Sequence, residues 1–287
     1  MKTITSRDNP LFKQLSKLAQ SSRERKKIQQ TLIEGVHLLQ TYRDAVGQPL
    51  QIIVSATGVN HREIMMLIEQ CSPLQPALLS DALFHELSSL ETPVGVVALI
   101  ATPAPVALPV VMDCCVMLED IQDPGNLGSI LRSAAAANVR HVLLSKGCVF
   151  AWSPRVIRAA MGAHFLLHIY ERQNLTEALD NFRGIKLATA LSAKQSIYDV
   201  DMTGPLALII GNEGNGLSQD ILIKANVTAQ IPMPGKMESL NAAAAVAICL
   251  FERVRQSGKN AKRPAAPSGD SVAARRRAQH LRRHPRG

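Results

Sequence analysis

The feature that most constrains the fold is a regular alternation of short apolar segments and helical segments over residues 110–255. The first apolar segment, 110–118, is nearly continuous, as in a parallel strand buried on both faces. Strands and helices alternating at this spacing predict an α/β fold with a mostly parallel sheet and helices on both faces. Ligands in such folds bind beyond the carboxyl ends of the strands, so the loops after strands are the candidate sites.

The rest of the chain is predicted to divide into smaller parts. Strands at 50–54 and 94–100 with helices at 36–42 and 63–71 predict a small α/β unit. Leu11, Leu15 and Leu18 give the segment before it one apolar helical stripe. The predicted division is a basic helical extension, a small α/β unit, a Pro/Ala linker, a larger α/β domain and a basic disordered tail, over residues 1–30, 31–101, 102–109, 110–257 and 258–287.

Positive charge is concentrated at the C-terminal end. The chain has a net charge of +9, and residues 258–287 contain nine Lys or Arg and one Asp, so this segment carries +8. Such a tail favours an acidic partner, most simply nucleic acid. The alternative is a solvated end without a specific partner.

Cysteine use and hydropathy indicate a cytoplasmic protein. The five cysteines are scattered and form no C-x-x-C pair, which favours a reduced compartment and buried thiols. The first 13 residues are polar, so no signal peptide is expected. Residues 94–112 lack charge, but three prolines interrupt them, so no membrane span is predicted. The chain offers no dense set of His and Cys ligands, so no metal is expected.

The first candidate loop lies within residues 118–132. The turn Pro124–Gly125 follows a strand, and Asn126 is predicted to cap the next helix. Arg132 lies six residues later, where its long side chain can point back toward the helix start. The alternative is a capping Asn and a solvated Arg.

The second candidate loop, 209–218, contains Gly211, Gly214 and Gly216 between a buried strand and a helix. Glycine lets backbone amides approach a ligand closely. The loop lacks the dinucleotide fingerprint and the Lys–Ser/Thr of a P-loop, and Glu213 is an acid that a phosphate site would avoid. It therefore favours a ligand with cationic character or hydroxyls, with a plain structural turn as the alternative.

The third candidate loop, 231–241, contains two prolines and a glycine. Ser239 is predicted to cap a helix over 240–255. Free N–H groups at a helix start beside a restricted loop form a polar cradle. The simpler interpretation is a capped strand-to-helix turn.

The three loops, in this order, resemble the motifs of the SpoU (TrmH) branch of the SPOUT RNA methyltransferases. The matching segments are 123–128 with Arg132, 211–214 with Gly216, and 231–233 with Gly235 and 239–241. This resemblance implies a C-terminal trefoil knot, S-adenosylmethionine as cofactor, methylation of a ribose 2′-OH in ribosomal or transfer RNA, and a homodimer. By the same resemblance, the cofactor-binding positions are Gly211, Ile231 and Leu240, and the catalytic positions are Asn126, Arg132, Glu213, Ser239 and Asn241.

Residues 31–101 are similar, more loosely, to the substrate-binding domain of many family members, which resembles a ribosomal-protein RNA-binding fold. The matching pieces are Glu34–Gly35 and 93–96. The chain departs from the family pattern at Phe150, where an Asp is common, and at 160–163. These departures concern RNA contacts and the target more than the activity.

The role of Arg132 has two interpretations. The resemblance assigns it the deprotonation of the 2′-OH, but a guanidinium almost never gives up its proton in a protein. Holding a nearby phosphate and stabilising the developing alkoxide is the alternative. His37, His164 and His168 are further conceivable bases.

Two other functions compete with methyl transfer. One is a non-catalytic RNA-binding or ribosome-assembly protein that retains the fold. The other is a dinucleotide-dependent oxidoreductase, which the glycine spacing disfavours.

Overall fold

The computed structural model describes residues 3–104 and 106–258, which build two sheets with their helices. The elements around the first sheet are β1 Thr3–Ile4, α1 Pro10–Gln20, α2 Ser22–Ile28, β2 Gln30–Glu34, α3 Val36–Ala45, β3 Gln51–Ser55, α4 Arg62–Gln70, β4 Ala77–Leu79, α5 Asp81–Leu87 and β5 Val96–Ala101. Those around the second are β6 Cys114–Leu118, α6 Pro124–Ala136, β7 His141–Leu144, α7 Pro154–Ala160, β8 His168–Tyr170, α8 Leu175–Asn181, β9 Ile185–Thr189, β10 Gln195–Ser196, β11 Leu206–Ile210, α9 Gln219–Lys224, β12 Val227–Gln230 and α10 Ala242–Ser257.

The first sheet has five strands in the order β1-β4-β3-β5-β2. β5 is antiparallel to both of its neighbours, whereas β1, β4 and β3 are parallel. The prediction of β3, β5, α3 and α4 is confirmed within a few residues, but β2, β4 and α5 were not predicted. These elements are short and lack a clear alternation of apolar and polar residues, so their structure depends on tertiary packing more than on local sequence.

The N-terminal segment belongs to the packing of this first sheet. β1 pairs with β4, and α1 buries Phe12, Leu15 and Leu18 in the core between the sheet and α5. Leu11 of the predicted stripe is only partly buried. Asn9 caps α1 by accepting from the Leu11 and Phe12 N–H groups, and Pro10 opens the helix. This packing favours one unit over residues 3–101 rather than a separate extension, although the domain limits remain a prediction.

The second sheet has seven strands in the order β10-β12-β9-β11-β6-β7-β8, and every pair is parallel. This confirms the predicted α/β fold. β11 lies at the centre between β9 and β6, and its five residues are buried, as expected for a strand covered on both faces. The trefoil knot stays a prediction from the family resemblance.

Local structure determines where β6 and β8 begin, and β6 begins four residues later than predicted. The first strand begins at Cys114, because Val110 and Val111 are 96% and 77% exposed and belong to the preceding connection. β8 begins only at His168, because Gly162 adopts a left-handed φ of 89° and starts a 3-10 helix before it.

The two units share a buried contact. Thr31 of β2 donates a hydrogen bond from Oγ1 to the carbonyl oxygen of Trp152, just before α7, at 2.7 Å. Beside it, Lys26 of α2 places its Nζ 4.8 Å from the ring centroid of Phe150, which is a cation–π contact. These contacts hold the first unit against the segment that leads into α7.

Within residues 3–104 and 106–258, no helix has both the length and the apolar character needed to cross a membrane. The same residues contain no cluster of three or more His, Cys, Asp or Glu side chains suited to a metal ion. The predicted tail lies outside the described residues, except for Gly258.

Candidate active site

Three loops meet at the carboxyl ends of the strands of the second sheet. They follow β6 and β11, which are parallel neighbours, and the nearby β12. Glu119, after β6, accepts hydrogen bonds from the N–H and Oγ of Ser218 at 2.8 and 2.7 Å. Asn212, after β11, donates from Nδ2 to the carbonyl oxygen of Asp120 at 2.9 Å. The expectation that the candidate loops gather beyond the carboxyl ends of the strands is confirmed.

A chain of three polar side chains joins the loops. Asn126 donates from Nδ2 to Glu213 Oε1 at 2.6 Å, and Asn241 donates from Nδ2 to Asn126 Oδ1 at 2.8 Å. The amide of Asn126 is therefore oriented from both sides, by an acceptor on one and a donor on the other. Residues 87 and 115 positions apart in sequence form one site in this way.

Two predicted helix caps are wrong. Asp123, not Asn126, caps α6, because its Oδ1 accepts from the Asn126 N–H at 2.7 Å. Asn241, not Ser239, caps α10, and its Oδ1 accepts from the N–H groups of Ala243 and Ala244. In each loop several residues can act as a cap, so composition alone does not select one. The correction leaves Asn126 in the first turn of α6 with its side chain available to Glu213.

A cavity of about 400 Å³ opens among the loops. Five predicted site residues line it: Gly211, Glu213, Ile231, Ser239 and Leu240. The loop after β9, residues 190–192, lines it as well and was not predicted. The strand order could have indicated this loop, since β9 lies between β11 and β12 and its carboxyl end lies beside theirs.

The Gly211 position is restricted by the protein's own backbone. A Cβ there would lie 2.2 Å from the carbonyl oxygen of Gly216, on the other arm of the loop. Asn212 and Gly216 pair through both backbone hydrogen bonds, and Asn212 Oδ1 accepts from the Gly214 and Asn215 N–H groups. Glycine at 211 therefore lets this loop close into a small hairpin.

Arg132 lines a second cavity, of about 480 Å³, beside the N-terminus of α6. Asp123, Arg155 and Arg158 line it too. Arg132 lies in the third turn of α6, and it reaches back toward the helix start as expected. Sequence reasoning missed Arg155 and Arg158, whose signal was their i, i+3 spacing in α7.

Comparison with known proteins identifies the family. Residues 113–251 match the SpoU rRNA Methylase family, and residues 9–98 match the MRM3-like substrate binding domain. A tRNA/rRNA methyltransferase of Synechocystis is 34% identical over 88% of this chain and 94% of its own length. The chain belongs to the SpoU rRNA methylase family.

Other SpoU relatives cover nearly the whole chain. The 23S rRNA (guanosine(2553)-2′-O)-methyltransferase RlmP of Bacillus subtilis is 32% identical over 88% of this chain and 98% of its own length. The crystal structure of an RNA 2′-O ribose methyltransferase superposes with a TM-score of 0.78 at 29% identity, covering 89% of this chain and 99% of that one. The SpoU methyltransferase AviRb from Streptomyces viridochromogenes, solved in complex with AdoMet, has a TM-score of 0.76 at 25% identity, covering 88% and 100%.

The three histidines considered as bases lie apart from both cavities of this SpoU protein. His37, His164 and His168 all belong to the described part of the chain, and none lines either cavity. His164 is buried against Trp152, with Nε2 2.8 Å from the carbonyl oxygen of Ala151. Burial lowers the pKa of His164 to about 4. These positions favour a structural role for His164.

Proposed function

We propose that this protein transfers a methyl group from S-adenosylmethionine to a ribose 2′-OH of ribosomal RNA. The observation that carries the proposal is the meeting of the three motif loops, which places the Glu213–Asn126–Asn241 chain next to a cavity. Family membership supports the reaction, and the 23S rRNA specificity of RlmP supports ribosomal RNA as the substrate class. The enzyme is thus an RNA (ribose-2′-O)-methyltransferase.

The first cavity fits S-adenosylmethionine in size and chemistry. Ile210, Leu217 and Ile231 supply apolar walls suited to an adenine ring, and Glu213 supplies a carboxylate suited to a cationic sulfonium. The cofactor contributes an activated methyl group, whose bond to sulfur breaks as its bond to the ribose oxygen forms. We assign cofactor binding to Gly211, Ile231 and Leu240.

The chain's own residues are proposed to orient the hydroxyl and stabilise its developing charge. Asn126, fixed between Glu213 and Asn241, is placed to hold the ribose by hydrogen bonds. Arg132 keeps its proton, binds the backbone beside the target and stabilises the alkoxide as the hydroxyl proton leaves to solvent. Ser239 lies at the rim of the cofactor cavity, where it can contact either reactant.

We further propose that the enzyme is a homodimer and acts in the cytoplasm. Exposed apolar side chains on α10 and the loop before it support association of two copies: Met237, Leu240, Phe251 and Val254. Sedimentation should give the mass of two chains. The mass of a single chain at micromolar concentration would contradict the dimer.

A two-step assay separates this enzyme from a non-catalytic RNA-binding protein with the same fold. S-adenosylhomocysteine should raise the unfolding temperature of the purified protein, because a ligand that binds only the native state stabilises it. Labelled methyl groups should then appear on ribose 2′-oxygens of unmodified ribosomal RNA. RNA binding without a cofactor-dependent shift or methyl transfer would support the non-catalytic alternative.

A further inference from the structure

The second cavity has a strongly positive lining. Three arginines, Arg132, Arg155 and Arg158, line it together with a single acidic residue, Asp123. One oxygen of that carboxylate already accepts the Asn126 N–H at 2.7 Å. Across residues 3–104 and 106–258, none of the three arginines forms an ion pair with a carboxylate. The cavity therefore has an excess of positive charge that an anion would balance.

Close packing of α6 and α7 brings the three arginines together. At Gly128 of α6, an added Cβ would lie 2.4 Å from the Cβ of Ala159 and 2.7 Å from the carbonyl oxygen of Val156 in α7. Arg132 follows Gly128 by one helical turn, and Arg155 and Arg158 flank the contact on α7. The arrangement is thus fixed by two packed helices rather than by flexible loops.

We propose that this cavity binds one backbone phosphodiester of the RNA adjacent to the target ribose, with Arg155 and Arg158 as binding residues beside Arg132. The proposal rests on the proposed function, because Asn126 connects the cavity to the polar chain of the active site. Guanidinium groups present paired N–H donors that match phosphate oxygens, and several together favour a phosphate over a neutral ligand. The bound phosphate would fix the ribose relative to Asn126.

The first unit positions one of these arginines. Arg158 donates from Nη1 to the carbonyl oxygen and Oγ of Ser89 at 3.2 and 3.3 Å. Glu34 of β2 holds the Ser89 segment by accepting from the Ser89 N–H and from Ser88 Oγ at 3.2 and 2.6 Å. Ser89 and Glu34 are therefore positioning residues, through which the unit matching a substrate binding domain orients a phosphate-binding group of the active site.

The test measures binding of a ribosomal RNA fragment over a series of salt concentrations. Arg155→Ala should weaken binding about tenfold, as expected on losing charge-assisted hydrogen bonds. It should also reduce the slope of log affinity against log salt by about 0.7 to 0.9, the value for one phosphate contact. The matched control is Arg183→Ala, which should keep the parent slope. Arg183 is exposed and precedes β9, so it lies at the amino ends of the strands, away from the site.

A chemically modified RNA substrate tests which phosphate is bound. Replacing the phosphodiester next to the methylated ribose by a neutral methylphosphonate should raise the KM of the parent enzyme about tenfold and have little further effect on Arg155→Ala. Equal slopes for Arg155→Ala and the parent, or full additivity with the methylphosphonate, would overturn the proposal. Arg158→Lys keeps the charge but loses the paired donors, so we expect a loss of RNA affinity between those of the parent and Arg158→Ala. This variant is informative even if Arg158→Ala loosens the contact with the first unit.

These results are separable from failure of the proposed function. If the parent binds RNA but methylates none, the proposed function fails, while the salt slopes still test the phosphate site. If the parent methylates RNA and the slopes overlap, only the phosphate site is wrong. Cofactor affinity should be the same in all these variants.

Discussion

At the scale of single residues, Gly211 shows how a requirement for glycine can have a different physical reason from the one that the sequence predicts. The sequence predicted that glycine lets the backbone approach a ligand, but the structure places the closest contact within the loop itself. The pairing of residues 212 and 216 is a tertiary detail that spacing does not encode. By contrast, the meeting of Asn126 and Asn241 at one place was predictable, since their loops follow strands of the same parallel sheet.

We expect Gly211→Ala to weaken S-adenosylmethionine binding at least tenfold, because the new Cβ would push the Gly216 backbone away and open the loop that lines the cavity. Gly214→Ala is the control, since its Cβ would meet only Asn212 Oδ1, at an ordinary 3.4 Å. Calorimetry measures both affinities. Unchanged cofactor affinity in a folded Gly211→Ala protein would show that the hairpin does not shape the site.

At the scale of elements, the alternation of strands and helices in the second unit was predicted well, whereas the residues at which helices begin were predicted poorly. Long apolar strands such as β11 are recognisable because both faces are buried. The ends of α6 and α10 were misplaced because Asp, Asn and Ser are all good caps, and the choice depends on which side chain meets the free N–H groups.

The cap of α10 yields a prediction that separates stability from activity. Asn241→Ala should cost about 1 kcal/mol of unfolding free energy, since the cap is lost, and should also lower methyl transfer. Asn241→Asp should keep the cap but lose the donor to Asn126, so stability is retained while activity falls. Ser239→Ala, predicted as the cap from sequence, should leave stability unchanged. Urea unfolding and single-turnover rates measure the two effects, and equal stabilities of Asn241→Ala and Ser239→Ala would contradict this assignment.

His164, in the 3-10 helix after α7, makes the junction with the first unit sensitive to acid. Its folded-state pKa, lowered by burial to about 4, lies below the ordinary value of 6.5. The contribution of His164 to the unfolding free energy should therefore be complete above pH 6.5 and should be lost as the pH falls toward 4, by about 3 kcal/mol in all. The neighbouring Glu171 acts in the opposite sense, because burial raises its pKa.

His164→Gln should reduce this acid sensitivity, since the amide cannot gain a proton. The measurement is the unfolding free energy of parent and variant from pH 7 to pH 4. The difference between the two proteins should change across that window, and parallel curves would mean that His164 does not control the response.

At the scale of the whole molecule, the sequence predicted two α/β parts and a basic tail, but not how the parts meet. The buried bond from Thr31 to Trp152 and the contact of Arg158 with Ser89 join residues 121 and 69 positions apart. The periodicity of hydrophobic residues along the sequence does not predict such pairings. Arg155 and Arg158 of the second cavity were missed for the same reason, because they lie on a different helix from Arg132.

Charge distribution supports a prediction for the tail, which lies outside the described residues. Truncation after Gly258 removes +8 of the net +9 and should weaken RNA binding while leaving cofactor affinity unchanged. If about four of these groups engage phosphates at about 0.7 each, the salt slope should lose about 3. Matched salt titrations of full-length and truncated protein test this, and overlapping slopes would show that the tail does not bind RNA.

The most direct test of the central claim is a map of 2′-O-methyl groups in total RNA from cells that lack the gene. Complementation should use the parent gene or one encoding Arg132→Ala, a variant expected to bind cofactor yet to transfer methyl groups at least a hundredfold more slowly. The account predicts that a ribosomal RNA ribose loses its methyl group in the deletion and regains it only with the parent gene. Identical maps with and without the gene, or full restoration by Arg132→Ala, would contradict it.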